Sequence, residues 1–288
     1  MVLSGFFVYL QHLTNKAMKK VFNWSFIILS VLIISFITSC GGDDEGDNDG
    51  KRHSTDKRIC KIVEESSGTI RERVFTYDTE GRIIEIETAV NSATNSNTYK
   101  TTYQYGETMI IRKSFINGKV INDNRTNLPH TYSLKNGRII LDEAVRDDAS
   151  IKMAFSYDNN GYMQSYSGPY MYNDDNYNTY NLIWEDGNLS KMDLIPLSLS
   201  IEVAKYSNLP WNMGEVIDIN TTWIPYTDPV LLAAGYYGKL SKNLPSEYEN
   251  NSYQYSYSNG LLTKVIKNTK DSNNEGASTT TFITLSWE

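Results

Sequence analysis

The sequence predicts an all-β fold, an antiparallel meander of hairpins forming a strongly curved sheet, a half-open or closed barrel, with one long irregular insert. Three observations carry this. Apolar residues alternate with period two, as in Tyr253, Tyr255 and Tyr257 against Gln254, Ser256 and Ser258, the mark of strands with one buried and one wet face. Asn-Gly or Asp-Gly pairs punctuate the runs at 117–118, 136–137, 186–187 and 259–260, and these residues tolerate the positive φ angles of tight hairpin turns. Helical spacing is nearly absent after residue 40.

The N-terminus has a different logic. Lys19 and Lys20 precede the apolar run from Val21 to Thr38, and Met18 makes a more natural start than Met1. The run closes with Ile37-Thr38-Ser39-Cys40. Positive, apolar, then small residues is the order of a secretory signal. The last four residues resemble the lipobox of bacterial lipoproteins, which implies acylation of Cys40, cleavage after Ser39, and residues 1–39 as signal peptide. Each buried acyl methylene contributes roughly 0.8 kcal/mol to membrane attachment. The alternative is an uncleaved spanning helix, but 21–38 at ~1.5 Å per residue reaches only about 27 Å of a ~30 Å hydrocarbon core. Residues 41–50 hold five acids and no base, and with the basic stretch after them they read as a flexible tether over 40–58. Acids directly after the Cys resemble the export signal of Bacteroides-type lipoproteins. That implies the outer face of the outer membrane, with the periplasmic face as the alternative.

Cleavage before Cys40 removes three lysines and no acid, leaving 24 bases against 34 acids, a formal −10. Nucleic acid is not an expected partner for so acidic a chain. With Cys40 lipidated, Cys60 has no cysteine partner, so stability rests on core and ladder rather than on a disulfide. Only His53 and His130 follow the cleavage point. No HExxH, CxxC, phosphate loop or GxSxG elbow occurs, and no cofactor is expected. His130, beside Pro129 and before a strand, reads as structural.

The body, 59–288, reads as a single all-β domain. Its first hairpin is Val74-Phe75-Thr76-Tyr77-Asp78-Thr79-Glu80-Gly81-Arg82-Ile83-Ile84-Glu85-Ile86, and related copies run over 132–139, 155–163, 182–189 and 255–262. The Tyr-Asp-x-x-Gly-Arg-Ile core also resembles the YD repeat of large shell-forming toxins, although convergence on a good hairpin explains so short a motif. The insert, about 194–247, holds Pro196, Pro210, Pro225, Pro229 and Pro245 and one short helical stretch, Val230 to Ala234. A long irregular insert in a hairpin array is either a functional loop or a plug over an open sheet edge.

The acidic-tethered lipobox, the repeated hairpins and the late Gly238-Lys239-Leu240-Ser241-Lys242-Asn243-Leu244-Pro245 segment together resemble a family of uncharacterised Bacteroides-type lipoproteins, a domain of unknown function with porin-like fold. The resemblance covers about residues 60–288. It implies a strongly curved antiparallel sheet and carries no catalytic residue.

Tyrosine is dense over 157–180, with Asn and Asp interleaved. Rings stack on sugar C–H faces while amides and carboxylates take hydroxyls, so Tyr166, Tyr170, Tyr172 and Trp184 form a candidate glycan platform, set against their ordinary role as strand residues with a wettable tip. Asn173-Asp174-Asp175-Asn176 lacks the loop spacing of a calcium site and reads as a turn, so no metal is expected. The function expected is a non-enzymatic surface lipoprotein, a binding or structural module meeting glycans or another envelope protein. The alternatives are a cell-surface hydrolase with paired carboxylates in the concave sheet and a transmembrane barrel with an apolar outer belt.

Overall fold

The computed structural model describes residues 57–121, 128–146, 149–170, 173–211, 227–271 and 277–288, without the side chains of 146, 149, 170 and 173–177. Cys40, the leader, most of the tether and Tyr172 lie outside the described residues.

The strands run in chain order as β1 (Ile59–Ser66), β2 (Thr69–Tyr77), β3 (Ile83–Asn91), β4 (Ser96–Tyr105), β5 (Met109–Ile116), β6 (Lys119–Val120), β7 (His130–Lys135), β8 (Arg138–Arg146) and β9 (Ala149–Tyr157). They continue with β10 (Met163–Tyr170), β11 (Asn173–Glu185), β12 (Asn188–Ile195), β13 (Leu199–Glu202) and β14 (Lys205–Pro210). One short helix, α1 (Pro229–Ala233), precedes β15 (Asn243–Tyr248), β16 (Asn251–Ser258), β17 (Leu261–Lys270) and β18 (Ser278–Trp287). All pairings are antiparallel and nearly all join chain neighbours, while β1 lies between β18 and β2. Around the sheet the order is β13, β12, β11, β10, β9, β8, β7, β5, β4, β3, β2, β1, β18, β17, β16, β15, β14, with β6 on the end of β5. No register joins β13 to β14, so the sheet is not closed.

The turns follow from their residues. Asn117-Gly118, Asn136-Gly137, Asp186-Gly187 and Asn259-Gly260 each place both residues at positive φ, between 49° and 81°, the two-residue turn whose twist suits antiparallel strands. The longer Tyr-Asp-x-x-Gly turns use the aspartate instead. Asp78 Oδ1 accepts from the N–H of Glu80 (3.0 Å) and Arg82 (2.9 Å), and Asp158 Oδ1 accepts from Tyr162 N–H (2.8 Å).

One device repeats around one rim. Next to a buried apolar residue near the start of six strands the register slips by one, making a bulge at Cys60, Ile84, Ile140, Gln164, Ser190 and Thr263. The residues just before these, Ile59, Ile83, Ile139, Met163, Leu189 and Leu262, are all buried. A bulge interrupts the ladder, and a buried carbonyl needs a donor. An aromatic side chain from farther along the chain supplies it each time. Tyr77 donates to Ile59 O (2.8 Å), Tyr105 to Ile83 O (2.8 Å), Tyr157 to Ile139 O (2.6 Å), Trp184 to Met163 O (2.7 Å), Tyr206 to Leu189 O (2.7 Å) and Trp287 to Leu262 O (2.7 Å). The residue before the buried one covers the same ring in four cases. Arg58 lies over Tyr77, Arg82 over Tyr105 and Arg138 over Tyr157, while Tyr162 tilts against Trp184. Thus Gly-Arg-Ile makes a clamp in which Ile fills the core and lends its carbonyl, and Arg caps the ring.

The insert is less irregular than expected. It contains β13, β14 and β15, and its middle fills the sheet's concavity. Val230, Leu231, Leu232, Ala233 and Tyr237 are all buried in the same core cluster as the strands; a helix apolar all round belongs inside. A strap then crosses the rim: Ile139 N–H donates to Tyr236 O (2.9 Å), Lys239 N–H to Gly161 O (3.0 Å) and Lys242 N–H to Gly187 O (2.8 Å). Gly238, at φ +85°, sits so close to Gly161 O that a β-carbon would collide with it. Of the two expected roles, plug and functional loop, the geometry makes this segment a plug, seated in the interior rather than on an edge.

Candidate functional site

Period-two parity puts Tyr103, Arg112, His130, Tyr132 and Asp142 on the inner face of adjacent strands. Tyr103 is opposite Arg112, Arg112 opposite His130, and Tyr132 opposite Asp142. Asp228 completes the group from the plug. Its Oδ1 accepts from Val230 N–H (2.9 Å) and Leu231 N–H (3.1 Å), capping α1 ahead of Pro229. Aspartate at the cap and proline in the first turn are what a helix start favours. The same carboxylate accepts from Tyr103 Oη (3.0 Å to Oδ2) and pairs with Arg112 Nε at 3.3 Å, while Asp228 N–H donates to Tyr237 Oη (3.4 Å). Alongside, His130 Nδ1 lies 2.7 Å from Asp142 Oδ1, and the His130 ring stacks on Tyr132 at 5.6 Å.

This is a lock between wall and plug. Its side chains are nearly out of solvent, with Asp228 4 %, Asp142 6 % and His130 8 % exposed. Burial holds the Tyr103, Tyr132 and Tyr237 hydroxyls well above the ordinary tyrosine range, and the charge of Asp228 adds to it at each, so all three stay neutral donors. Burial works against the Arg112 charge, but the Asp228 carboxylate and a hydrogen bond to Tyr132 outweigh it and the guanidinium stays protonated. Among the described residues no group of three His, Cys, Asp or Glu is placed to hold a metal.

The expected glycan platform is rearranged. Tyr166 is 1 % exposed and stacks on Tyr180 at 4.5 Å inside the sheet, because its parity on β10 points inward. Trp184 is half-buried, its indole spent on Met163 O. The side chains of Tyr170 and Tyr172 lie outside the described residues. Tyr166 and Trp184 are therefore core and clamp, not an exposed surface for a sugar. Arg112, Asp142 and Asp228 escaped notice in the sequence. The one usable signal was a charged residue at a core-parity position, as in Ile110-x-Arg112.

Fold and interior together define a class: a porin-like curved antiparallel sheet whose concavity is filled by its own chain. The chain belongs to the family described as a domain of unknown function (DUF4595) with porin-like fold, matched over residues 75–258. It is similar to the crystal structure of a porin-like protein from Bacteroides uniformis ATCC 8492, with a TM-score of 0.58 and 13% identity, covering 80% of this chain and 98% of that one. A comparison with curated proteins gave no match.

Proposed function

We propose that the protein is a non-catalytic module of the cell envelope, held on the outer membrane by lipid on Cys40 and displayed outward as a binding or structural element for glycans or an envelope partner. The observation that carries this is the inversion of the porin pattern. A membrane barrel is apolar outside and polar within. Here the apolar residues of the inner face and the plug form one cluster, with the inward charges paired among themselves, while the outer face carries the ion pairs Lys61–Glu72, Lys100–Glu85 and Lys152–Glu143. Such a body stands in water beside a membrane, and an acylated cysteine on a tether supplies the attachment. The inward carboxylates Asp142, Asp228 and Glu64 are engaged by His130, by the helix cap and by Arg71 and Arg73, which favours binding over hydrolysis.

Metabolic labelling with a palmitate analogue tests the anchor. Wild type should take up label and Cys40→Ala should not, and external protease should digest the protein on intact cells. Equal labelling of both forms, or complete protease protection, would overturn the reading. A glycan array probed with the mature protein tests the ligand side.

A further inference from the structure

The open seam of the sheet leaves β13 with a free edge. β13 pairs with β12 alone, and all four of its residues are exposed. Leu199 stands opposite Leu194 and Ile201 opposite Met192, so both lie on the inner face. Their β12 neighbours are 4% and 3% exposed, whereas Leu199 is 49% and Ile201 37% exposed. The packing that covers the neighbouring wall therefore stops short of β13. Ile195, at the end of β12, and Leu197, in the turn, are exposed as well, so four large apolar residues lie open within 195–201.

The backbone of this edge is open in a defined pattern. Val203 N–H donates to Ser190 O (2.9 Å), which continues the β12 register by one residue. In an antiparallel pair, residues bonded to one neighbour alternate with residues whose N–H and C=O point the other way. Counting back from Val203, Ile201 and Leu199 bond to β12, while Ser200 and Glu202 turn their backbone groups to the free edge. No strand among the described residues pairs with them. Proteins commonly blunt such an edge with lysine, proline or a bulge. Leu199-Ser200-Ile201-Glu202 holds neither residue, and its register with β12 has no bulge. Residues 41–50 of the chain's own tether have no apolar side chain to lay against Leu199 and Ile201.

We propose that β13 is a self-association edge, through which two copies of this chain join their sheets antiparallel about a two-fold axis at Ser200. This register is self-complementary. Leu199 faces Ile201 of the other copy and Ile201 faces its Leu199, so the apolar face continues across the join. The outward backbone groups of Ser200 meet their own counterparts in a reciprocal pair. The one charge, Glu202, comes opposite Ser198 rather than a second Glu202, which avoids the cost of like charges directly opposed. A slip of one residue would put the apolar side chains of the two copies on opposite faces. Four residues a side bury far less than the roughly 800 Å² per partner of a standard interface, so the pairing is weak in dilute solution and calls for trapping. It goes beyond the binding-module reading and does not rest on a glycan ligand.

The test is disulfide trapping in the membranes of cells producing the full chain, with Ser200→Cys placed on a Cys60→Ser parent. Hydrogen-bonded antiparallel positions lie about 5.5 Å apart at Cα, inside the ~4.4–6.8 Å that a disulfide spans. Mild oxidation should join the Ser200→Cys chains into a covalent dimer at least tenfold more than it joins the parent, or a Lys113→Cys control on the exposed outer face of β5. Adding Ile201→Lys sets a charge against Leu199 of the other copy and should cut the yield tenfold or more with far-ultraviolet circular dichroism unchanged, whereas Ile201→Leu should keep it. Where Ile201→Lys disturbs the fold, the contrast between Ser200→Cys and Lys113→Cys decides alone. A dimer yield from Ser200→Cys no higher than from Lys113→Cys, full cross-linking by a folded Ile201→Lys variant, or capture of Ser200→Cys by a different envelope protein instead of its own copy overturns the proposal.

Discussion

Removing the Asp228 carboxylate should uncouple the plug from the wall. In Asp228→Ala, α1 loses the acceptor of two backbone N–H groups, which costs about 1 kcal/mol. Arg112 loses a partner at 3.3 Å with only 16% of its side chain exposed. Stranding one member of a buried pair costs about 3–5 kcal/mol, and the low end applies because some guanidinium still reaches water. The sum is about 4 kcal/mol, or about 10 °C in Tm for a domain of this size. Asp228→Asn keeps an oxygen at the cap and should lose about 3 kcal/mol. Adding Arg112→Met to Asp228→Asn removes the stranded charge and should recover about 2 kcal/mol, a coupling within the range seen for contacting residues. Urea unfolding followed by tryptophan fluorescence reads these proteins together with the single Arg112→Met variant, which completes the cycle. A loss under about 1 kcal/mol for Asp228→Ala, near what a cap alone contributes, or strict additivity in the double variant, would refute the lock.

Three further outcomes follow from the clamps and the packing. Tyr157→Phe removes the donor to Ile139 O and should cost about 1 kcal/mol by thermal melting; no loss would mean that water serves the carbonyl equally well. Gly168→Ala places a β-carbon onto Met153 Sδ and should cost about 2 kcal/mol, part of which the added Met153→Ala restores; a neutral single variant would contradict the packing. Burial pushes Tyr206 and Tyr248 up to about 12. Their folded values lie above the unfolded tyrosine value near 10, so their contribution is intact below pH ~10 and is lost as pH climbs towards ~12. Tyrosinate absorbance and far-ultraviolet circular dichroism should therefore change together in that window. Smooth titration near pH 10 with an unchanged dichroism signal would show these rings to be open to water.

How far the sequence could be read depended on whether a feature is local. Asn136-Gly137 and Tyr77-Asp78-Thr79-Glu80-Gly81 contain their own turn chemistry, so hairpins and their alternation were legible, as was the helical stretch after Asp228. The role of the aromatics was not. Tyr157 and Ile139 look like two ordinary strand residues until a bulge at Ile140 breaks the ladder beside Ile139 and the Tyr157 hydroxyl takes up its carbonyl. That relation spans two hairpins and leaves no mark in either. The same blindness turned Tyr166 and Trp184 into a surface platform, since tyrosine at alternate positions fits a wet face as well as a core with polar duties. Arg112 and Asp228 were hidden for a stronger reason, because a charge on a core face reads as a defect until its partner, 116 positions away, is folded beside it.

The plug explains why this fold needs both devices. A curved open sheet leaves a concavity that strand pairing alone cannot fill, and unfilled apolar wall is costly. A five-residue helix is too short to be stable by itself, so it must be held by its cap, by Tyr103 and Arg112 on the wall, and by the strap from Tyr236 to Lys242 across the rim. The strap can follow that rim because the clamps fix each turn's height and leave Gly161 O and Gly187 O to accept its N–H groups. Clamp, strap and lock therefore form one chain of dependence. Breaking a single clamp should cost little, whereas breaking the lock releases the element on which the interior is packed.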